Sequence, residues 1–189
     1  MAILIDKQVR PMPAEPVVPV LILSGTVGVG KTAILESIHE LLIQAREPHA
    51  CLDADALSLS WPVRGDFNQI AMLENVASVW ANARAAGATR LVLAAVIERQ
   101  EDRDAFRSAV PGADVTVCQL EASKDTRMSR LRQREHGTSL EWHLQRTEKL
   151  RDILERAAIH DFVVDNDRRA RDEVAREVLL RADWSISNL

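Results

Sequence analysis

The clearest chemistry in this chain lies in Gly25-Thr26-Val27-Gly28-Val29-Gly30-Lys31-Thr32, which fills every fixed position of the pattern G-x-x-x-x-G-K-[ST]. The apolar, β-branched-rich run 17–24 precedes it at strand length, and Ile34, Leu35, Ile38, Leu41 and Leu42 follow at helical spacing. A strand that feeds a glycine-rich turn opening a helix brings backbone N–H groups and the positive end of the helix dipole onto one anion. These eight residues are therefore expected to cradle the phosphates of a nucleoside triphosphate. Lys31 should reach the β- and γ-phosphates, and the Thr32 hydroxyl should bind Mg2+. A plain turn would need the glycines but not Lys-Thr at that offset.

Two further patterns suit the same chemistry. Asp53-Ala54-Asp55 places two carboxylates at the end of a short apolar stretch, where they should project near the loop. Phosphoryl transfer asks the protein to position reactants and neutralise charge, so one carboxylate can help hold Mg2+ and the other orient an acceptor hydroxyl. Asp53 is assigned to the metal and Asp55 to the acceptor, with the roles exchangeable; an Asp capping a helix is the competing account. Arg127, Arg130 and Arg134 recur at i, i+3, i+7, a stripe on one helix face able to close over phosphates. Pairing of that face with Glu121, Asp125 and Glu135 in solvent is its alternative.

Alternating strands and helices must hold these groups together. Residues 17–24, 49–52, 91–97, 115–120 and 162–165 read as five strands, the third apolar throughout as a doubly covered parallel strand would be. Helical periods occupy the segment after the phosphate loop and residues 66–86, 102–110, 123–135, 138–159 and 172–181. That order predicts an α/β sandwich with a parallel sheet, right-handed crossovers and ligands at the carboxyl ends of the strands.

With 189 residues, 47% hydrophobic and 28% charged, the chain should form one globular domain over residues 17–189. A loosely ordered arm carrying Pro11, Pro13 and Pro16 is expected over residues 1–16. The net charge of −4 argues against a nucleic-acid partner, and no apolar run approaches membrane-spanning length. No leader pattern opens the chain, so the expected location is cytoplasmic. Cys51 and Cys118 fall in strand-like runs and read as buried, reduced thiols. No histidine pair at i, i+4 has a suitable acidic neighbour, so spacing along the chain points to no zinc site.

From about residue 17 to 181 the sequence resembles the P-loop small-molecule kinases, among them adenylylsulfate, shikimate and gluconate kinases and chloramphenicol phosphotransferase. The resemblance rests on the phosphate loop, the acidic pair, Arg130-Leu131-Arg132-Gln133-Arg134 and Phe162-Val163-Val164-Asp165-Asn166-Asp167. It implies a three-layer sandwich with a five-stranded parallel sheet, ATP and Mg2+ as cofactors, a small-molecule hydroxyl acceptor and a lid at about 123–137. It further implies that Asn166, Asp167 and Arg168 lie near the adenine base and that Ser58, Trp61, Arg64, Asn68 and Asn75 cover the acceptor. An Arg with a Trp would suit an anionic or ring-bearing compound, although Trp61 and Trp80 also read as core and Arg64 as a surface charge. Many such kinases form homodimers through the second helix. One departure is that the third strand ends Ala94-Ala95-Val96-Ile97-Glu98, without the aspartate many P-loop proteins place there. Asp53 would then carry more of the metal's surroundings, or Glu98 would contribute. The competing function is a nucleotide-dependent switch or an ATP-binding module without phosphotransfer, although no Asn-Lys-x-Asp guanine-reading segment occurs.

Overall fold

The central apolar runs become strands because they are buried on both faces, while the edge runs are only partly covered. In the structure, a computed structural model describing residues 16–134 and 137–184 and leaving the side chains of 134–145 aside, five parallel strands form one sheet. They are β1 (Val18–Ser24), β2 (His49–Asp53), β3 (Arg90–Ala94), β4 (Ala113–Glu121) and β5 (Phe162–Asp165), in the order β2-β3-β1-β4-β5. The arm expected over residues 1–16 lies outside the described residues except for Pro16.

Alternation along the strands divides the core in two. Leu21 and Leu23 of β1, Val92 of β3 and Cys118 and Leu120 of β4 pack beneath α1 (Lys31–Gln44) and the last helix, Arg171–Arg181. Val20, Ile22, Leu91, Leu93, Val115 and Val117 point the other way, toward Val76 and Trp80 of α3 (Gln69–Ala85) and Phe106 of α4 (Gln100–Ala109). Between β2 and α3 stand a one-turn helix, α2 (Ala54–Leu57), and a 3-10 turn at Asp66–Asn68. After β4 come α5 (Lys124–Arg134) and α6 (Gly137–Ala157), and α7 (Arg171–Arg181) closes the described chain. The result is the expected three-layer α/β sandwich with a five-stranded parallel sheet.

The third strand is shorter than its apolar run. Beyond Ala94 the chain leaves the ladder: the Ala95 amide still donates to the Leu23 carbonyl at 3.1 Å, but the Ile97 amide turns to the Ser24 hydroxyl at 3.1 Å. Burial of residues 95 and 97 therefore extends the apolar pattern past the last ladder pair. Both thiols are reduced, and burial pushes Cys51 and Cys118 up to about 12. No helix among the described residues is long and apolar enough to cross a membrane.

Asp161 fastens the edge of the sheet nearest β5. Its carboxylate accepts the Val117 amide at 2.7 Å and the Arg103 guanidinium at 3.0 Å, and its own amide donates to the Val117 carbonyl at 2.9 Å. Replacing Asp161 with Ala strands a buried amide and a mostly buried guanidinium. Urea unfolding of Asp161→Ala should show a loss of about 1–3 kcal/mol with an unchanged m value.

Candidate active site

The carboxyl ends of β1, β2 and β3 open into a cavity of about 1230 Å3. That exceeds the roughly 300–1000 Å3 of a pocket for one small molecule, so a nucleotide and a second reactant can share it. Gly28, Gly30, Lys31 and Thr32 form one wall, and Asp55 and Ser58 of the β2–α3 connection line it as well.

The loop backbone is fixed from behind. The Val29 carbonyl accepts Arg130 Nη1 at 2.8 Å and Asn166 Nδ2 at 2.7 Å, and the Val27 carbonyl accepts the Thr147 hydroxyl at 2.8 Å. Gly30 has φ 105°, and a Cβ there would meet Asn166 Nδ2 at 2.7 Å; at Gly25, with φ 135°, a Cβ would lie 2.6 Å from the Leu120 carbonyl oxygen. Both positions need glycine for conformation and for space. Lys31 Nζ spans the start of the loop, donating to the Gly25 and Thr26 carbonyls at 3.0 and 3.2 Å.

The two carboxylates of the acidic pair stand beside this cradle. The Thr32 hydroxyl donates to Asp53 Oδ2 at 2.8 Å, while Asp53 Oδ1 accepts the Asp55 amide at 3.0 Å and so caps α2. The capping and metal-side accounts of Asp53 are therefore compatible, since each uses a different carboxylate oxygen. A hydroxyl and a carboxylate at hydrogen-bond distance are hard oxygen donors, the set that suits Mg2+. Asp55 lines the same cavity as Lys31 and Thr32.

The arginine stripe splits. Arg130 lines the cavity and bridges the Val29 and Asn166 carbonyls, the latter at 3.0 Å; burial draws its guanidinium below the ordinary value, against the attraction of Asp167. Arg127 does not line the cavity: it is buried, donating to the Ala122 carbonyl at 2.9 Å and to Glu148 at 2.8 Å. Partial burial pushes Glu148 upward, but hydrogen bonds from Arg127 and Lys124 hold it below the usual carboxylate range. The stripe expectation is corrected for Arg127, whose guanidinium the Ala122 carbonyl and Glu148 of α6 hold away from the cavity. The Arg134 side chain lies outside those described.

Asn166 is 3% exposed and is placed against the loop backbone. Asp167 accepts the Ser123 hydroxyl at 3.0 Å and is held below its usual range by hydrogen bonds from Thr126 and Ser123. Neither Asp167 nor Arg168 lines the cavity.

Among residues expected to cover an acceptor, Ser58 alone is a lining residue of the cavity. Asn68 is buried and closes the loop on itself, donating to the Ser58 carbonyl at 2.6 Å and the Ser60 hydroxyl at 2.7 Å while accepting the Arg64 amide at 2.8 Å. That curl leaves Trp61 at 87% exposure, outside the cavity, and Arg64 paired with Glu74 at 2.9 Å. Asn75 donates to the Leu57 carbonyl at 2.9 Å, and Trp80 is core. Trp61, Arg64 and Asn68 are thus not brought to the cavity wall.

Reading along the sequence placed the helix at 138–159 but missed what α6 brings to the site. Arg146 reaches the cavity, forms an ion pair with Glu98 and lies 5.4 Å over the Phe67 ring. Glu98, offered as a metal contributor, is engaged by that guanidinium. Thr147 is fully buried and shares an i, i+3, i+7 stripe with the buried Leu150 and Leu154; one polar residue on an apolar stripe was the available signal.

No family model and no curated protein matches this sequence. Solved structures do resemble the fold. The Deinococcus radiodurans tunicamycin resistance protein superposes with a TM-score of 0.63 at 17% identity, covering 91% of this chain and 99% of that one. A gluconokinase from Sinorhizobium meliloti gives 0.60 at 20% identity, covering 90% and 94%. The Mycobacterium tuberculosis APS kinase, solved with AMPPNP and APS, gives 0.53 at 19% identity, covering 90% and 99%. The chain has the fold of the P-loop small-molecule kinases.

The loop's rear support can be tested without touching its phosphate face. Thr147→Val keeps the side-chain volume but strands the Val27 carbonyl. It should cost about 1–3 kcal/mol in urea unfolding and weaken nucleotide binding by about tenfold in calorimetry, the equivalent of ~1.4 kcal/mol.

Proposed function

We propose that the protein is an ATP-dependent kinase that moves the γ-phosphoryl group to a hydroxyl of a small molecule. The observation that carries this reading is the meeting of the phosphate loop with the acidic pair: Thr32 bonds Asp53 at 2.8 Å, and Asp55 faces the cavity that holds Lys31. Had those carboxylates turned away from the loop, only a nucleotide-holding function would fit.

Each residue then has a task. The loop amides and Lys31 hold the β- and γ-phosphates, as a glycine-rich loop at a helix N-terminus does. Thr32 and Asp53 would hold Mg2+, which when bound neutralises charge on the phosphate oxygens. Asp55 accepts the proton of the acceptor hydroxyl as that oxygen bonds the phosphorus and ADP departs. Arg130, already desolvated against the loop, offers its guanidinium to the transferring charge. The acceptor occupies the part of the cavity lined by Ser58, Leu59, Phe67, Met72 and Phe106, an apolar wall next to the Glu98–Arg146 pair. Such a wall favours an acceptor with a substantial apolar surface and a few polar groups.

The kinase names of the similar structures support this reading at the level of the fold. A screen of hydroxyl compounds by ADP release identifies the acceptor. With that acceptor, Asp55→Asn should lower the single-turnover transfer rate by about 10²–10⁴-fold, the usual worth of a general base, and leave ATP affinity within about twofold, less than ~0.5 kcal/mol. An unchanged rate would remove Asp55 from the mechanism.

A further inference from the structure

Away from the cavity, His39 of α1 and His49 and Cys51 of β2 bring their ligand atoms within 4.8 Å of one another. His39 Nδ1 lies 2.8 Å from His49 Nε2, and His49 Nδ1 lies 2.7 Å from the Glu47 carbonyl. A carbonyl can only accept, so Nδ1 of His49 carries the hydrogen and its Nε2 presents a lone pair toward His39 and Cys51. A backbone carbonyl that fixes the tautomer of an imidazole is the support metal-bound histidines ordinarily have.

We propose that His39, His49 and Cys51 form a Zn2+ site that clips α1 to the edge strand β2. Two imidazole nitrogens and a thiolate are the donors that favour zinc over Mg2+ or Ca2+. Tetrahedral zinc needs its ligand atoms roughly 3.3–3.7 Å apart. His39 is exposed, so its ring has room to turn as a bound ion draws the set to that spacing. Three protein ligands leave the fourth position to water on the exposed side. Burial pushes the Cys51 thiol up to about 12, so the free site holds the protonated form. On binding, the S–Zn bond forms as that proton leaves to solvent.

The place of the clip gives it a consequence. His39 follows Thr32 by two turns of α1, about 10 Å along the axis, and His49 and Cys51 precede Asp53 on the same face of β2. The ion would therefore brace the seam whose other end is the Thr32–Asp53 hydrogen bond. Spacing along the sequence could not find this site because its ligands come from two elements that meet only in the fold.

The test uses the whole protein at pH 8, titrated with Co2+ and Zn2+. Co2+ should bind with a thiolate-to-cobalt charge-transfer absorption that stoichiometric Zn2+ displaces. The band should vanish in Cys51→Ser, persist in Cys118→Ala, and require at least about 10–100-fold more metal in His39→Ala, the loss that even an outer partner of a metal site commonly causes. Zn2+ should raise the Tm of the natural protein and leave that of His39→Ala unmoved. His39 is on the surface, so its replacement leaves the fold intact. Absence of the band in the natural protein at micromolar metal, or its survival in Cys51→Ser, overturns the site.

Discussion

A phosphate loop functions only if its carbonyls are turned away from the ligand and kept there, because the amides that face the anion belong to the same peptide planes. Here that task falls to three side chains from three distant segments. Thr147 takes the Val27 carbonyl, and Asn166 and Arg130 together take that of Val29. The donors are buried or half-buried, so releasing any one of them leaves a carbonyl without water to replace it. Glycine at position 30 is the counterpart of this support, because Asn166 approaches so closely that a Cβ would collide with it. The loop's shape is thus determined as much by α6 and the segment after β5 as by its own sequence.

The sheet determines where the chemistry meets the cradle. With β3 between β2 and β1, the turn after β2 is carried one strand away from the loop, and α1 has to cross back over the sheet to reach it. Thr32 stands at the start of α1 and Asp53 at the end of β2, so a single hydrogen bond closes the gap between the two elements. Asp53 uses its other oxygen to start α2, which in turn sets the position of Asp55. Local capping and site geometry are here one constraint, which is why the two accounts of Asp53 need not compete.

What the sequence made legible follows from the range of each signal. The strands, the loop and the Asp53–Asp55 pair are encoded by neighbours within a few residues, and the structure places them as the local pattern requires. The fate of Arg127 depended on Glu148, 21 residues away on another helix, and the i, i+3, i+7 spacing could not report it. Residues 58–68 misled for a similar reason. Trp61 and Arg64 have the chemistry of a substrate site, but Asn68 curls the loop so that one faces solvent and the other faces Glu74. Arg146 carried no sequence signal, since its role comes from Glu98 and Phe67 across the cavity.

Charge raises the remaining question, because a protein with a net charge of −4 must attract an anion to its phosphate loop. The means is local and lies in what each arginine is paired with. Arg127 is neutralised by Glu148 and Arg146 by Glu98, so neither has much charge left for a phosphate. Arg130 is held by two carbonyls, of Val29 and Asn166, which orient the guanidinium without cancelling its charge. Partial burial of that charge costs stability, and this cost draws its pKa down against the attraction of Asp167. An arriving phosphate offsets the same cost, so the interaction gains from a guanidinium that is already desolvated and already aimed. A carboxylate introduced within ion-pair distance of this guanidinium would stabilise the free protein and weaken its pull on a phosphate, which is the sense in which this site keeps its charge for a ligand.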